Sequence, residues 1–188
     1  MLDSKPVLSK STMMKQFSLH WIGYAVGLLT PIAVVQNPVF AQSGDTPLPP
    51  LPSNCRPLPL VGGDGSEVTK TASAPGFRVP LPGPAPSVGV RNNWNTDWFV
   101  PGGQVFRTYR VVFMPRDSVE YSVNMTFKYP DDSIDQFYRE RGRMFTANQP
   151  LVVEERPRAD LQPFQINANI GGLRSVGARY TVAVAGCL

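Results

Sequence analysis

The chain has 188 residues, 18 basic against 14 acidic, with two cysteines and a single histidine, His20. That length suits one domain able to bury a real core beyond an N-terminal segment. Two cysteines far apart with one histidine exclude a zinc site, and the modest charge excess is too small to signal nucleic-acid binding.

The first 41 residues read as an export signal: Lys5, Lys10 and Lys15 open it, and an apolar run from Trp21 to Val35 follows. That run has 15 residues, short of the roughly 20 that a bilayer-spanning helix needs. Val39 and Ala41 occupy the positions where a signal peptidase wants small side chains, so processing is expected before Gln42. Met13 and Met14 are alternative starts, and neither changes the mature chain. Cys55 lies too far from the apolar run for a lipoprotein anchor. Removing the leader takes away three lysines and Asp3, leaving 15 basic against 13 acidic residues, a nearly neutral chain without a membrane span. His20 leaves with the leader. Histidine-dependent hydrolysis and histidine-based metal sites are thereby excluded from the mature protein.

Residues 42–87 form a proline-rich segment, expected to be an extended, polyproline-II-like arm or spacer. The motifs "PLPP" and "PPLP" resemble ligands of aromatic grooves, but a spacer is the plainer reading. In an exported protein, Cys55 and Cys187 are expected to form a disulfide. Closing so long a loop is worth about 4–5 kcal/mol in the chain-entropy model. A bonded Cys55 would also hold part of the arm against the domain.

From residue 88 to residue 188 the pattern becomes that of a β-domain. "WNTDWFV", Trp94–Val100, is a weak strand candidate. Its two indoles, four positions apart, fall on one face of a strand, with Asn95 and Asp97 beside them. Two core tryptophans are the stronger reading; the alternative is a sugar-stacking platform of Trp94 and Trp98, with Asn95 and Asp97 for hydroxyls. "QVFRTYRVVF", Gln104–Phe113, is β-branched and aromatic, and "MPRDS" is turn chemistry. Val119–Tyr129 then alternates without a break: Val119, Tyr121, Val123, Met125, Phe127 and Tyr129 face one way. Its "NMT", Asn124–Thr126, is a glycosylation sequon that matters only in a eukaryotic host.

Asp132–Phe145 reads as a helix with Ser133 and Gln136 as its capping box, or as a strand returning from a "YPDDS" turn; the strand continues the hairpin pattern better. As a strand it projects Arg139, Arg141 and Arg143 as one basic stripe. That stripe suits an anionic envelope polymer or lipid head groups, or serves as edge protection. Asp131, Asp132 and Asp135 cluster at the turn as a candidate calcium site, though turn aspartates more often bond their own backbone. Glu154 and Glu155 on the strand candidate Pro150–Glu155 add a further carboxylate pair. "FQINANI", Phe164–Ile170, alternates again, with Gln165, Asn167 and Asn169 on the polar side, and Ala178–Gly186 is a central closing strand.

Short strands separated by proline and glycine turns predict an all-β fold, an antiparallel β-sandwich of immunoglobulin-like or jelly-roll-like type. The expected function is that of an exported, non-catalytic binding or structural module of the cell envelope, in the periplasm or outside the cell. Its expected partners are an envelope polymer, a glycan among them, or another envelope protein. The rival is an exported enzyme that hydrolyses glycosides with carboxylates and no histidine.

Overall fold

The computed structural model describes residues 45–79, 83 and 88–188. The expected leader, residues 1–41, lies outside the described residues, and the sandwich belongs to the unit Gln42–Leu188. Its strands in chain order are β1 (Cys55–Pro57), β2 (Glu67–Thr71), β3 (Phe77–Val79), β4 (Val88–Val90), β5 (Asn95–Phe99) and β6 (Thr108–Pro115). There follow β7 (Val119–Lys128), β8 (Ile134–Phe145), β9 (Leu151–Glu155), β10 (Gln165–Gly171) and β11 (Arg179–Cys187). The only helical element among the described residues is a 3-10 turn at Leu173–Ser175.

Two antiparallel sheets form the sandwich. Sheet 1 has the order β1-β11-β6-β9, with β2 also paired to β11, and sheet 2 has the order β5-β10-β7-β8. A short ribbon of β3 and β4 stands apart from both. Alternation sets the core. Tyr109, Val111 and Phe113 of β6 meet Tyr121, Val123, Met125 and Phe127 of β7 in one buried cluster, joined by Tyr180, Val182 and Val184 of β11. Phe113 lies edge-on to Tyr121 and Phe145, with ring centroids 5.2 Å apart in both pairs. Each such buried ring contributes about 1.5–3 kcal/mol by burial alone. The buried tyrosines still find acceptors: Tyr121 donates to the Arg179 carbonyl at 2.9 Å and Tyr109 to Gln162 at 2.9 Å.

The strand reading of residues 132–145 is the observed one. Tyr129–Ser133 closes a tight turn in which Asp132 takes φ 63° and Asp131 accepts from the backbone N–H of Ser133. β8 then returns along β7 with two register shifts, one opposite Ser122 and one at Phe137. The first places Arg141 and Gly142 against a single residue, and Gly142 supplies the positive φ, 57°, that such a bulge favours. The second turns Phe137 inward to stack on Phe127 at 4.2 Å.

The proline-rich segment departs from expectation, because the sandwich begins well before residue 88. Cys55–Pro57 and Glu67–Thr71 are both paired to β11, and Leu58 and Ala72 are buried in the core. Proline is tolerated here because β1 sits at a sheet edge, where a missing N–H costs no ladder bond. Between β1 and β2 the chain crosses from one sheet to the other: Leu58 donates to the Val184 carbonyl, while Pro59 and Val61 pair with β5. The Cys55–Cys187 disulfide forms as expected, between residues directly opposite in the β1–β11 register.

Residues 45–51 are likewise no free spacer. They run over the outer face of sheet 1, where Leu48, Pro49 and Leu51 oppose Val112, Ala183 and Ala185 across a cavity of about 150 Å³. Arg116 donates to the Thr46 carbonyl, and Arg179 approaches Asp45 at 3.8 Å, so the start of this strap is held by charge. Beneath it, outward-pointing Val112, Met114 and Ala185 are buried.

Candidate functional site

Sheet 2 turns a polar face outward. On β10, Ile166, Ala168 and Ile170 enter the core, so Gln165, Asn167 and Asn169 point outward. On β5, Thr96 and Trp98 are buried, which turns Asn95 and Asp97 out. On β7 the outward residues are Ser122, Asn124, Thr126 and Lys128. Strand register then assembles two polar rows across the sheet. One is Asn95–Asn169–Asn124–Arg139, and the other is Asp97–Asn167–Thr126–Gln136.

Hydrogen bonds lock the β5 side of these rows. Asn169 Nδ2 donates to Asn95 Oδ1 at 3.0 Å, and Asn167 Nδ2 donates to Asp97 Oδ1 at 2.9 Å. Lys128 Nζ lies 2.9 Å from the same Asp97 oxygen. Partial burial pushes the Asp97 carboxyl up, but the hydrogen bonds from Lys128, Asn167 and Gln165, with the Lys128 charge, hold it below the usual carboxylate range. Lys70 reaches across from β2 to the carbonyls of Asn93 and Asn95 at 3.0 and 2.8 Å. Burial lowers its pKa, and the negative charge of Asp97 partly restores it. On the β8 side the face opens into a shallow cavity of about 390 Å³ lined by Ser122, Asn124, Gln136, Arg139, Arg141 and Asn169. Asn124 Oδ1 lies buried there without a donor, a state that costs about 1–3 kcal/mol.

The tryptophan pair does not make one platform. Trp98 is fully buried, its Nε1 donating to the Ser66 carbonyl at 2.9 Å. Trp94 precedes β5, escapes its alternation and lies half-buried on Gly171, where a Cβ would stand 2.4 Å from the indole. Its Nε1 donates to the Ser73 carbonyl at 2.9 Å. Asn95 and Asp97, named with them, do belong to the outer face.

The aspartate cluster is organised around a cation from the chain itself. Arg158 pairs with Asp135 through two nitrogens, lies 3.7 Å from Asp131 and packs its guanidinium 4.4 Å from the centre of the Tyr129 ring. Asp131 is held below the ordinary carboxylate range by its Ser133 hydrogen bonds and by Arg158. Asp132, on its left-handed backbone, takes part in no ion pair among the described residues. The calcium reading of Asp131, Asp132 and Asp135 therefore gives way to an arginine clamp that joins the β7–β8 turn to the β9–β10 loop. Among the described residues no group of three histidine, cysteine, aspartate or glutamate side chains converges to hold a metal ion.

The basic stripe is divided. Arg139 and Arg141 line the outer face, but the bulge at Arg141–Gly142 shifts Arg143 opposite Tyr121. There it packs 5.2 Å from the centre of the Phe145 ring and pairs with Glu140 at 3.3 Å. The glutamates are separated as well. Glu154 pairs with Arg110, whereas Glu155, its neighbour on β9, stands opposite Tyr109 on the other face. Adjacent strand residues point to opposite faces, so Glu154 and Glu155 do not form the paired geometry that glycoside hydrolysis needs.

Fold and face together define an antiparallel β-sandwich with one outer face roofed by residues 45–51 and the other lined by two cross-strand polar rows. No family model matches the chain, nor does any curated protein sequence match it. Asn124, Thr126, Lys128, Gln136, Asn167 and Asn169 went unremarked as site residues in the sequence. Their signal was alternation: "FQINANI" set Gln165, Asn167 and Asn169 on a common side, and Val119–Tyr129 set Ser122, Asn124, Thr126 and Lys128 on another.

Proposed function

We propose that the protein is an exported, non-catalytic β-sandwich module of the cell envelope that binds a glycan on the outer face of sheet 2. One observation carries this reading: the row Asn95–Asn169–Asn124–Arg139 crosses the outer face of sheet 2 between exposed ends at Asn95 and Arg139, with the more buried row Asp97–Asn167–Thr126–Gln136 beside it. Amides donate and accept through neighbouring atoms, which matches vicinal sugar hydroxyls. Cross-strand bonds from Asn167 and Asn169 pre-organise the β5 side, so little side-chain entropy is lost on binding. Export is supported by the leader-like first 41 residues and by the Cys55–Cys187 disulfide, which suits an oxidising compartment.

The test is calorimetric titration of the mature protein with a panel of envelope polysaccharides, alongside Asn169→Ala and Gln136→Ala variants. Binding that the two substitutions weaken at least about tenfold is the expected result, equivalent to about 1.4 kcal/mol. Undiminished binding in both variants would move the ligand elsewhere on the molecule. A panel without any binder would remove the reading.

A further inference from the structure

We infer that the glycan is acidic, a carboxylate-bearing polysaccharide laid across the strands of sheet 2 along Asn95–Asn169–Asn124–Arg139. The inference rests on the glycan reading of this face and adds its charge and direction.

Both ends of the row carry arginines. At the β8 end, Arg139 and Arg141 line the cavity that also holds Asn124 and Asn169. At the β5 end, a second cavity of about 600 Å³ is lined by Asn95 and by Arg78 and Arg91 of the β3–β4 ribbon and its exit. The two cavities meet in the row itself, because Asn169 of the first donates to Asn95 of the second at 3.0 Å. Neighbouring strands lie about 4.8 Å apart, so the row spans about 14 Å, the reach of an oligosaccharide rather than of one sugar.

These arginines are not committed to the protein's own carboxylates. Among the described residues no carboxylate oxygen lies within salt-bridge distance of Arg78, Arg91, Arg139 or Arg141. The carboxylates nearest the track are already answered: Asp97 by Lys128 at 2.9 Å, and Glu140, which lines the β8 cavity, by Arg143 at 3.3 Å. What remains is cationic at both ends and amide in between. A polyuronate repeats the complementary chemistry, a planar carboxylate for a guanidinium fork and hydroxyls for the amides. Phe77, 58% exposed on the wall of the β5 cavity, adds a ring face on which a sugar can stack. The row itself carries no apolar side chain to anchor a lipid surface.

The experiment titrates the mature protein with polygalacturonate and with the same polymer, matched in length, after reduction of its carboxyls to alcohols. Anionic phosphatidylglycerol vesicles form a third arm. Polygalacturonate is expected to bind, to weaken as salt is raised, and to lose at least about tenfold in affinity on carboxyl reduction. The double variants Arg139→Gln/Arg141→Gln and Arg78→Gln/Arg91→Gln are each expected to lose about tenfold for polygalacturonate, with thermal midpoints unchanged. Equal binding of the charged and reduced polymers overturns the acidic assignment and leaves the glycan reading standing. Failure of every polysaccharide overturns both. Vesicle binding as tight as polygalacturonate binding, or full affinity in both double variants, overturns the assignment to this track.

Discussion

The outer faces of the two sheets start from the same rule and end as opposites. On sheet 1 the outward residues of β6 and β11 include a small or apolar set, Val112, Met114, Ala183 and Ala185, and the strap 45–51 lies over this face. On sheet 2 the outward residues of β5, β10 and β7 are mostly amides, hydroxyls and charges; Asn167 and Thr126 are buried among their neighbours, while Asn95 and Arg139 at the ends of the first row stay exposed. An apolar sheet face must be covered or it becomes an association surface. A polar one costs nothing to leave in water. The difference teaches that residues 45–51 serve the fold, and it is why the proposed ligand is placed on sheet 2.

Breaking the roof should have the largest effect. The disulfide lies with Ala185 on the outer side of sheet 1 and anchors the segment that leads into the strap. A Cys55→Ser/Cys187→Ser variant is expected to lose about 4 kcal/mol, read from its urea midpoint. Its hydrogen-exchange protection should fall first in β1 and β2, with β7 and β10 holding longest. Equal loss in both sheets would mean the roof is not a separate unit.

A charge placed on each face sharpens the contrast. Val112→Asp buries a carboxylate under the strap, and we expect it to cost about 3 kcal/mol. Gln136→Glu puts the same group in the exposed cavity that Arg139 also lines, where the cost should stay below about 1 kcal/mol. Chemical denaturation of the two variants measures the gap, and equal costs would erase the distinction between the faces.

Smaller effects remain on sheet 2. The folded Asp97 carboxyl is held below its ordinary pKa, so the stability it adds is fully present above the unfolded value, about 3.9. It is lost as pH falls through the lower folded value. Since Asp97 and Lys128 are partly exposed, screening limits the effect to less than about 1 kcal/mol. Comparing Asp97→Asn with the parent between pH 2 and pH 5 should show the two converging at the acid end. Asn169→Ala should be smallest for stability, within about 0.5 kcal/mol, while still weakening polysaccharide binding. A large stability loss there would make the amide row a structural feature instead of a ligand surface.

Much of the sandwich was legible because alternation is a local property. Val119–Tyr129 and Phe164–Ile170 declared their buried sides through period-two patterning; the first matches the observed core, and the second does from Ile166 onward, whereas Phe164, expected on the same side, is exposed. β2 was not legible: "EVTKT" is short and polar, and only its pairing with β11 makes it a strand. The proline-rich segment misled for a related reason. Proline dictates extended backbone, but whether extended backbone lies against a sheet or projects into water depends on what the sheet exposes. The candidate site was half legible. Asn95 and Asp97 were singled out for their neighbours, the two tryptophans, yet Trp98 went to the core and Trp94 to the Gly171 backbone.

By itself, the sequence determined the all-β architecture, the extended character of the N-terminal segment, the disulfide and the inward side of its long strands. These follow from backbone preference, residue spacing and cysteine count, which act within or along the chain. Only the tertiary structure decided which amides share a row, which arginines remain outside ion pairs, and that Arg158 takes the turn aspartates. Strand register and loop docking bring together residues tens of positions apart, and no local pattern encodes the partner each will meet.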